Sequence, residues 1–130
     1  MEIIGQGERA TLTILKEMFG EIAEYKTQML LRDMVTRDYE DTFSQRQMKE
    51  TIDIVVFPML TPPIAVRIQD KHHNTQRMGI IDNIQQNMLK WNGYFVVDIH
   101  YYECPEVFKD KVNDTSRQEI IDSFKVAHNL

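Results

Sequence analysis

The chain has 130 residues, room for one domain with a single hydrophobic core and too few for two ordinary folded units. A net charge of -5 and a pI near 5.3 argue against a protein whose main affinity is a broad basic surface laid on phosphates. Hydrophobic residues at 42% and charged residues at 27% exclude a disordered chain.

The single cysteine, Cys104, excludes an internal disulfide framework and a thiolate zinc site within one chain, which fits a reducing, intracellular setting. With no redox partner beside it in sequence, Cys104 reads as a structural thiol. The amino-terminal MEIIGQGERA has an early acid and no apolar segment long enough for a secretory signal, so no export is expected. The longest apolar run, Ile52 to Val66, is broken by Asp53, Pro58, Pro62 and Pro63, and no membrane span is expected either.

In chain order, Gly7 to Phe19 places Leu12, Leu15 and Phe19 at helical spacing, with Gly20 as a stop. Glu8 falls in the first turn, where a carboxylate suits the positive end of the helix dipole. Glu21 to Val35 alternates in hydrophobicity and predicts a strand. Thr36 to Glu50 is polar and predicts a loop, with Ser44 and Gln47 at capping-box spacing for a short helical turn.

Thr51 to Phe57 is β-branched and nearly continuously apolar, the pattern of a strand buried on both faces. Alternation sends Ile52, Ile54 and Val56 one way and Thr51, Asp53 and Val55 the other. Pro58, Pro62 and Pro63 confine the connection to a turn. Pro63 to Asp70 predicts the next strand, with Ile64, Val66 and Ile68 on one face and Ala65, Arg67, Gln69 and Lys71 on the other. A helix from Asn74, Thr75 or Gln76 to Trp91, ended by Asn92 and Gly93, leads to a strand over Tyr94 to Tyr102. After Cys104 and Pro105 comes a helical tail, with Ile120, Ile121, Phe124 and Val126 on one face. Helix, strand, strand, strand, helix, strand, helix predicts an α/β fold whose mixed sheet is flanked by helices, with a right-handed crossover joining a parallel pair.

Polar residues inside apolar strands carry the chemistry. A carboxylate at Asp53 is costly to bury without a partner, metal or water. If the two strands are neighbours, Asp53, the Gln69 amide oxygen and the backbone carbonyl of Asp70 form an oxygen set for a hard divalent cation. Lys71 could then position or activate water and offset charge on a phosphate. A structural ion pair of Asp53 with Arg67 or Lys71 is the competing account. Arg67, Lys71, His72, His73 and Arg77 fall within eleven residues with only Asp70 opposing them, either a solvated strand end or a local basic patch. His72 and His73 would diverge on an extended chain, Asp98 and His100 read as an edge pair, and Trp91 and Tyr94 read as core or rim.

ETIDIVVF followed by IAVRIQDK resembles the D-x(n)-(D/E/Q)-x-K core of the PD-(D/E)XK nuclease superfamily, which includes archaeal Holliday junction resolvases and small phage endonucleases. RMGIIDNIQQNMLKWNGYFVVDI resembles the segment that follows the lysine in that superfamily, and GQGERATLTILKEMF its leading helix, so the likeness spans about residues 5 to 102. The resemblance implies a restriction-endonuclease-like αβββαβ core with an extra carboxy-terminal helix, here in one domain over 1–130. It implies a metal-dependent DNA endonuclease using Mg²⁺ or Mn²⁺ and no organic cofactor. Asp53 and Gln69, with the Asp70 carbonyl and Glu8 as further ligands, would hold the ion, and Lys71 would assist the water. Arg67, His72, His73, Arg77 and Gln85 are candidates for touching DNA. A homodimer is also implied, with Met29, Met34 and Met48 or the tail helix as candidate interfaces against simple core packing.

Two positions depart from the superfamily pattern. Ile52 stands in place of its proline, and Gln69 in place of the usual acid. Losing that negative charge weakens metal affinity, unless Glu8 compensates or the ion enters with substrate. A fold kept as a nucleic-acid or protein binding module without catalysis is the second expectation.

Overall fold

The computed structural model describes residues 7–69 and 76–129. Helix α1 (Glu8–Phe19) is followed by β1 (Glu24–Leu30), the short helices α2 (Leu31–Met34) and α3 (Thr42–Gln47), β2 (Thr51–Phe57) and β3 (Ile64–Gln69). Helix α4 (Gln76–Trp91), β4 (Phe95–His100), a turn of helix α5 (Pro105–Phe108) and α6 (Asp114–His128) complete the chain. The four strands form one open sheet in the order β1-β2-β3-β4. Consecutive strands pair antiparallel from β1 to β3, and β3 pairs parallel with β4 across α4. The α/β class and the mixed sheet with helices expected from the sequence are therefore present.

Two apolar clusters sandwich the sheet. On one face, Ile54 and Val56 of β2, Ile64 and Val66 of β3, and Val97 and Ile99 of β4 pack with residues of α1, α5 and α6. On the other, Val55, Ala65 and Val96 pack with Leu31 and Met34 of α2 and Met88 and Leu89 of α4. This is the period-two pattern of strands covered on both sides. Met34 is buried in the second cluster, and Met29 and Met48 pack against it, so these methionines serve the core and the expected interface there is not supported. Among the described residues, no helix is long and apolar enough to cross a membrane.

Some element boundaries differ from expectation for local reasons. The strand predicted over Glu21 to Val35 ends at Leu30, because Leu31 and Met34 turn under the sheet as one helical turn that fills the second cluster. The cap of α3 is Asp41, whose carboxylate accepts the Ser44 N–H at 2.8 Å; hydrogen bonding from the Ser44 side chain, and next from its N–H, holds the Asp41 carboxyl below its ordinary pKa. Ser44 is thus the capped residue and not the cap. At the far end of α4, Asn92 Oδ1 accepts from the Thr36 N–H at 2.8 Å while its Nδ2 donates to Tyr39 Oη at 3.0 Å, pinning the 36–50 excursion.

The start of α1 is fixed by three contacts. Gly7 has φ 83°, and a Cβ there would meet the Val107 carbonyl oxygen at 3.1 Å, so the close approach to α5 requires glycine. The Gly7 carbonyl accepts from Thr11 Oγ1 at 2.7 Å, and Asp110 accepts the Ala10 N–H at 2.9 Å. The first turn of α1, carrying Glu8, is thereby held in place.

Cys104 is fully buried in the first cluster with Sγ 3.5 Å from Ser123 Oγ, and burial pushes its thiol up to about 11. Thiolate is the reactive form, so native protein at pH 8 should react with iodoacetamide about a hundredfold more slowly than the unfolded chain. Rapid labelling without unfolding, followed by mass spectrometry, would contradict the structural assignment of this thiol.

Candidate functional site

Strands β2 and β3 part company at Asp53. Their pairing runs from Val56↔Ile64 to Ile54↔Val66 and stops, whereas β3 stays paired with β4 through Gln69↔His100. The Ile68 N–H, which lies in the sheet plane, is left without a strand partner on the β2 side. Asp53 Oδ2 takes it at 2.8 Å, so a carboxylate occupies the place of a ladder carbonyl. An unsatisfied buried N–H costs about 1–3 kcal/mol, which this bond averts. It also fixes the carboxylate in the wedge between the two strands.

The expected grouping breaks at the same point. Ile54 and Val56 join the first cluster as expected, but Ile52 packs in the second. Opposite Asp53 on β1 stands Gln28, flanked by the pairs Thr27↔Ile54 and Met29↔Ile52. Gln28 has φ 51°. Left-handed backbone costs a non-glycine residue roughly 1–2 kcal/mol, and such residues persist where their surroundings fix them.

Its side chain shows what fixes it. Gln28 Nε2 donates to Glu8 Oε1 at 3.1 Å and Oε2 at 3.2 Å, and lies 3.5 Å from Asp53 Oδ1. Gln28 Oε1 accepts from Thr51 Oγ1 at 2.9 Å. One amide therefore links carboxylates from α1 and β2. Glu8 is only 3% exposed, so its role exceeds that of a solvated charge in a first helical turn.

Gln69 follows Ile68 on β3. It is 6% exposed, and its Oε1 is buried without a hydrogen-bond partner among the described residues. Buried acceptors are nearly always satisfied, so an orphaned one marks a place where a donor or cation fits. The candidate ligand atoms, the carboxylate oxygens of Glu8 and Asp53 and the amide oxygen of Gln69, are all oxygen, which suits Mg²⁺ or Mn²⁺. Among the described residues no three His, Cys, Asp or Glu side chains come together as a metal-binding group, in keeping with an amide where an acid was expected.

Arg67 was expected to touch DNA, with an ion pair to Asp53 as the competing account; the structure pairs it with Asp98 instead of Asp53. Its guanidinium is bidentate on Asp98, Nε to Oδ1 at 2.7 Å and Nη2 to Oδ2 at 2.8 Å, and Nη1 donates to the Asp82 carbonyl at 3.1 Å and Gln85 Oε1 at 3.2 Å. At 4% exposure it locks β3, β4 and α4 together, and Gln85 is drawn into the same network. Asp98 and His100 both lie on the edge strand β4, where Asp98 is held by Arg67 and the His100 ring stacks on Tyr102 with centroids 5.1 Å apart. Trp91 is exposed, and Tyr94 packs against the second cluster.

Asp70, Lys71, His72 and His73 lie outside the described residues, as does the Arg77 side chain, although Arg77 falls in the first turn of α4. The network thus joins Glu8 to Asp53 and ties Asp53 to the residue before Gln69. Sequence reasoning missed Gln28 and Thr51, because a polar residue on the outer side of an alternating strand is what any solvent-facing strand carries. Compared with protein-family models, curated proteins and solved structures, the chain gives no significant match to any of them.

Proposed function

We propose that the protein is a metal-dependent DNA endonuclease that hydrolyses phosphodiester bonds, with junctions or branched DNA as candidate substrates. The observation that carries this reading is the wedge where β2 and β3 separate. There, carboxylates from two elements share one amide, and a buried amide oxygen with no partner among the described residues lies on the neighbouring strand. The order α1, β1, β2, β3, α4, β4 with its antiparallel, antiparallel and parallel pairings supports an αβββαβ nuclease-like core.

In this proposal Asp53, Gln69 and Glu8 hold Mg²⁺ or Mn²⁺, with the Asp70 carbonyl as a further ligand. The chemistry supplied by the bound ion is neutralisation of phosphate charge and activation of water. The chain's own part is to fix those oxygens in advance: the Ile68 N–H orients Asp53, and Gly7 with Asp110 orients the turn that carries Glu8. Lys71 is assigned to the attacking water, and His72, His73 and Arg77 to the DNA backbone. A homodimer would place two such sites for two cuts.

The test is incubation of purified protein with branched, duplex and single-stranded DNA in Mn²⁺. Metal-dependent cleavage that Lys71→Ala reduces is the expected result, and cleavage unaltered by Lys71→Ala would overturn the mechanism. The neutral Gln69 and the absence of a three-acid cluster among the described residues favour one second reading, a nuclease-fold module that binds nucleic acid or a protein without cutting. Under it, DNA or protein binding persists while calorimetry with Mn²⁺ gives no heat.

A further inference from the structure

The donor end of Gln28 sits where positive charge belongs. Its NH₂ group faces three carboxylate oxygens, Oε1 and Oε2 of Glu8 at 3.1 and 3.2 Å and Oδ1 of Asp53 at 3.5 Å. Carboxylate oxygens from two elements thus converge on one neutral donor, the kind of oxygen set a hard divalent cation takes. A divalent cation attracted by the same oxygens would compete for the position the NH₂ now holds.

The other end of the amide is held by a group that does not care which way round it is. Thr51 Oγ1 now donates to Gln28 Oε1 at 2.9 Å. A hydroxyl also accepts, so after a half-turn of the amide about its last torsion the same Thr51 would receive a bond from Nε2. The carbonyl oxygen would then face Glu8 and Asp53. Terminal amide torsions of this kind are broad and roughly two-fold, so the rotation meets little intrinsic resistance.

The left-handed backbone of Gln28, φ 51°, is the third observation. It interrupts β1 at the one residue opposite Asp53, between two regular pairs, and its amide reaches Glu8 and Asp53. A glutamine kept in strained backbone for solvent contact alone would relax.

Resting on the metal-site reading above, we infer that Gln28 is a further metal ligand. With the site empty, its NH₂ bridges Glu8 and Asp53; with the cation bound, the amide reverses and contributes Oε1. Together with Gln69 it would supply two neutral oxygens to two carboxylates, which is how this chain does without the missing acid. Mg²⁺ and Mn²⁺ accept amide oxygens alongside carboxylates.

The test uses Mn²⁺ alone, without DNA, on the full chain. Gln28→Gly removes the amide while suiting φ 51°, so the fold should be retained, as far-UV circular dichroism would check. Its Mn²⁺ dissociation constant by calorimetry should rise about tenfold, equivalent to about 1.4 kcal/mol. Gln28→Glu is the second variant. It should melt at a lower temperature than wild type without metal, because a third carboxylate joins two, and should show a larger Mn²⁺-induced rise in melting temperature. Wild-type affinity in Gln28→Gly, or a Gln28→Glu rise no larger than that of wild type, would overturn the inference while leaving the metal site standing. No Mn²⁺ binding by the wild type would overturn the metal site itself, and this inference with it.

Discussion

Replacing Arg67 with alanine should lower the unfolding free energy by about 3 kcal/mol, toward the lower end of the range for breaking a buried ion pair. The cost comes from what remains. Asp98 would keep its charge against the sheet with both guanidinium bonds gone, and the Asp82 carbonyl and Gln85 Oε1 would lose a donor as well. The low end applies because the Asp98 side chain keeps 20% of its surface in solvent, against 5% for Arg67, so water can reach part of the stranded carboxylate. Urea unfolding followed by circular dichroism measures it. The double variant Arg67→Met with Asp98→Leu removes both charges and should recover most of the loss, since apolar groups of similar volume can replace a buried pair without penalty. A single variant as stable as wild type would mean that the pair is open to water and Arg67 is available for other contacts.

That result bears on how the basic cluster after β3 is read. On charge alone, Arg67, Lys71, His72, His73 and Arg77 form one patch. Period-two alternation sends Arg67 to the α4 side of the sheet, and only the three-dimensional arrangement reveals Asp98 of β4 waiting there, in register with it. Parallel neighbours thirty-one residues apart leave no local trace of such a pair in the sequence. What local pattern can carry was legible. The β-branched run of β2, the proline-bounded connection and the alternation of β3 identified the central hairpin, and strand, helix, strand identified the parallel pair that follows. Short helices were harder. Two of them, α2 and α5, have four residues each, too few for periodicity to register, and tertiary packing of Leu31, Met34, Val107 and Phe108 defines them. At the site, Asp53 and Gln69 stood out because polar groups in apolar strands are costly. Gln28 did not, since its meaning lies in a backbone angle and in two carboxylates distant in sequence.

On the endonuclease proposal, Asp53→Asn should abolish metal-dependent cleavage while leaving the fold intact, and the contrast between the two effects makes it informative. Asparagine is nearly isosteric and its Oδ1 can still accept the Ile68 N–H, so the bridge between β2 and β3 is kept. With that acceptor kept, the metal-free variant should melt close to wild type. Asp53→Ala is the useful comparison. It leaves the Ile68 N–H without that acceptor and should be less stable than Asp53→Asn by about 1–3 kcal/mol. For cleavage the ranking differs. Both variants lose the anionic oxygen, and removal of one preorganised electrostatic group from an active centre costs roughly 10²–10³ in rate, with loss of the ion itself adding to that. Single-turnover cleavage of labelled branched DNA in Mn²⁺, with thermal melts run alongside, reads both quantities. Asp53→Asn cutting within a few-fold of wild type would remove Asp53 from the chemistry and leave it as a structural bridge between the strands. Loss of cleavage only where stability also falls would assign the effect to folding. Loss of cleavage at undiminished stability is the expected outcome, because the Ile68 N–H needs only an acceptor, whereas a divalent cation needs the charge.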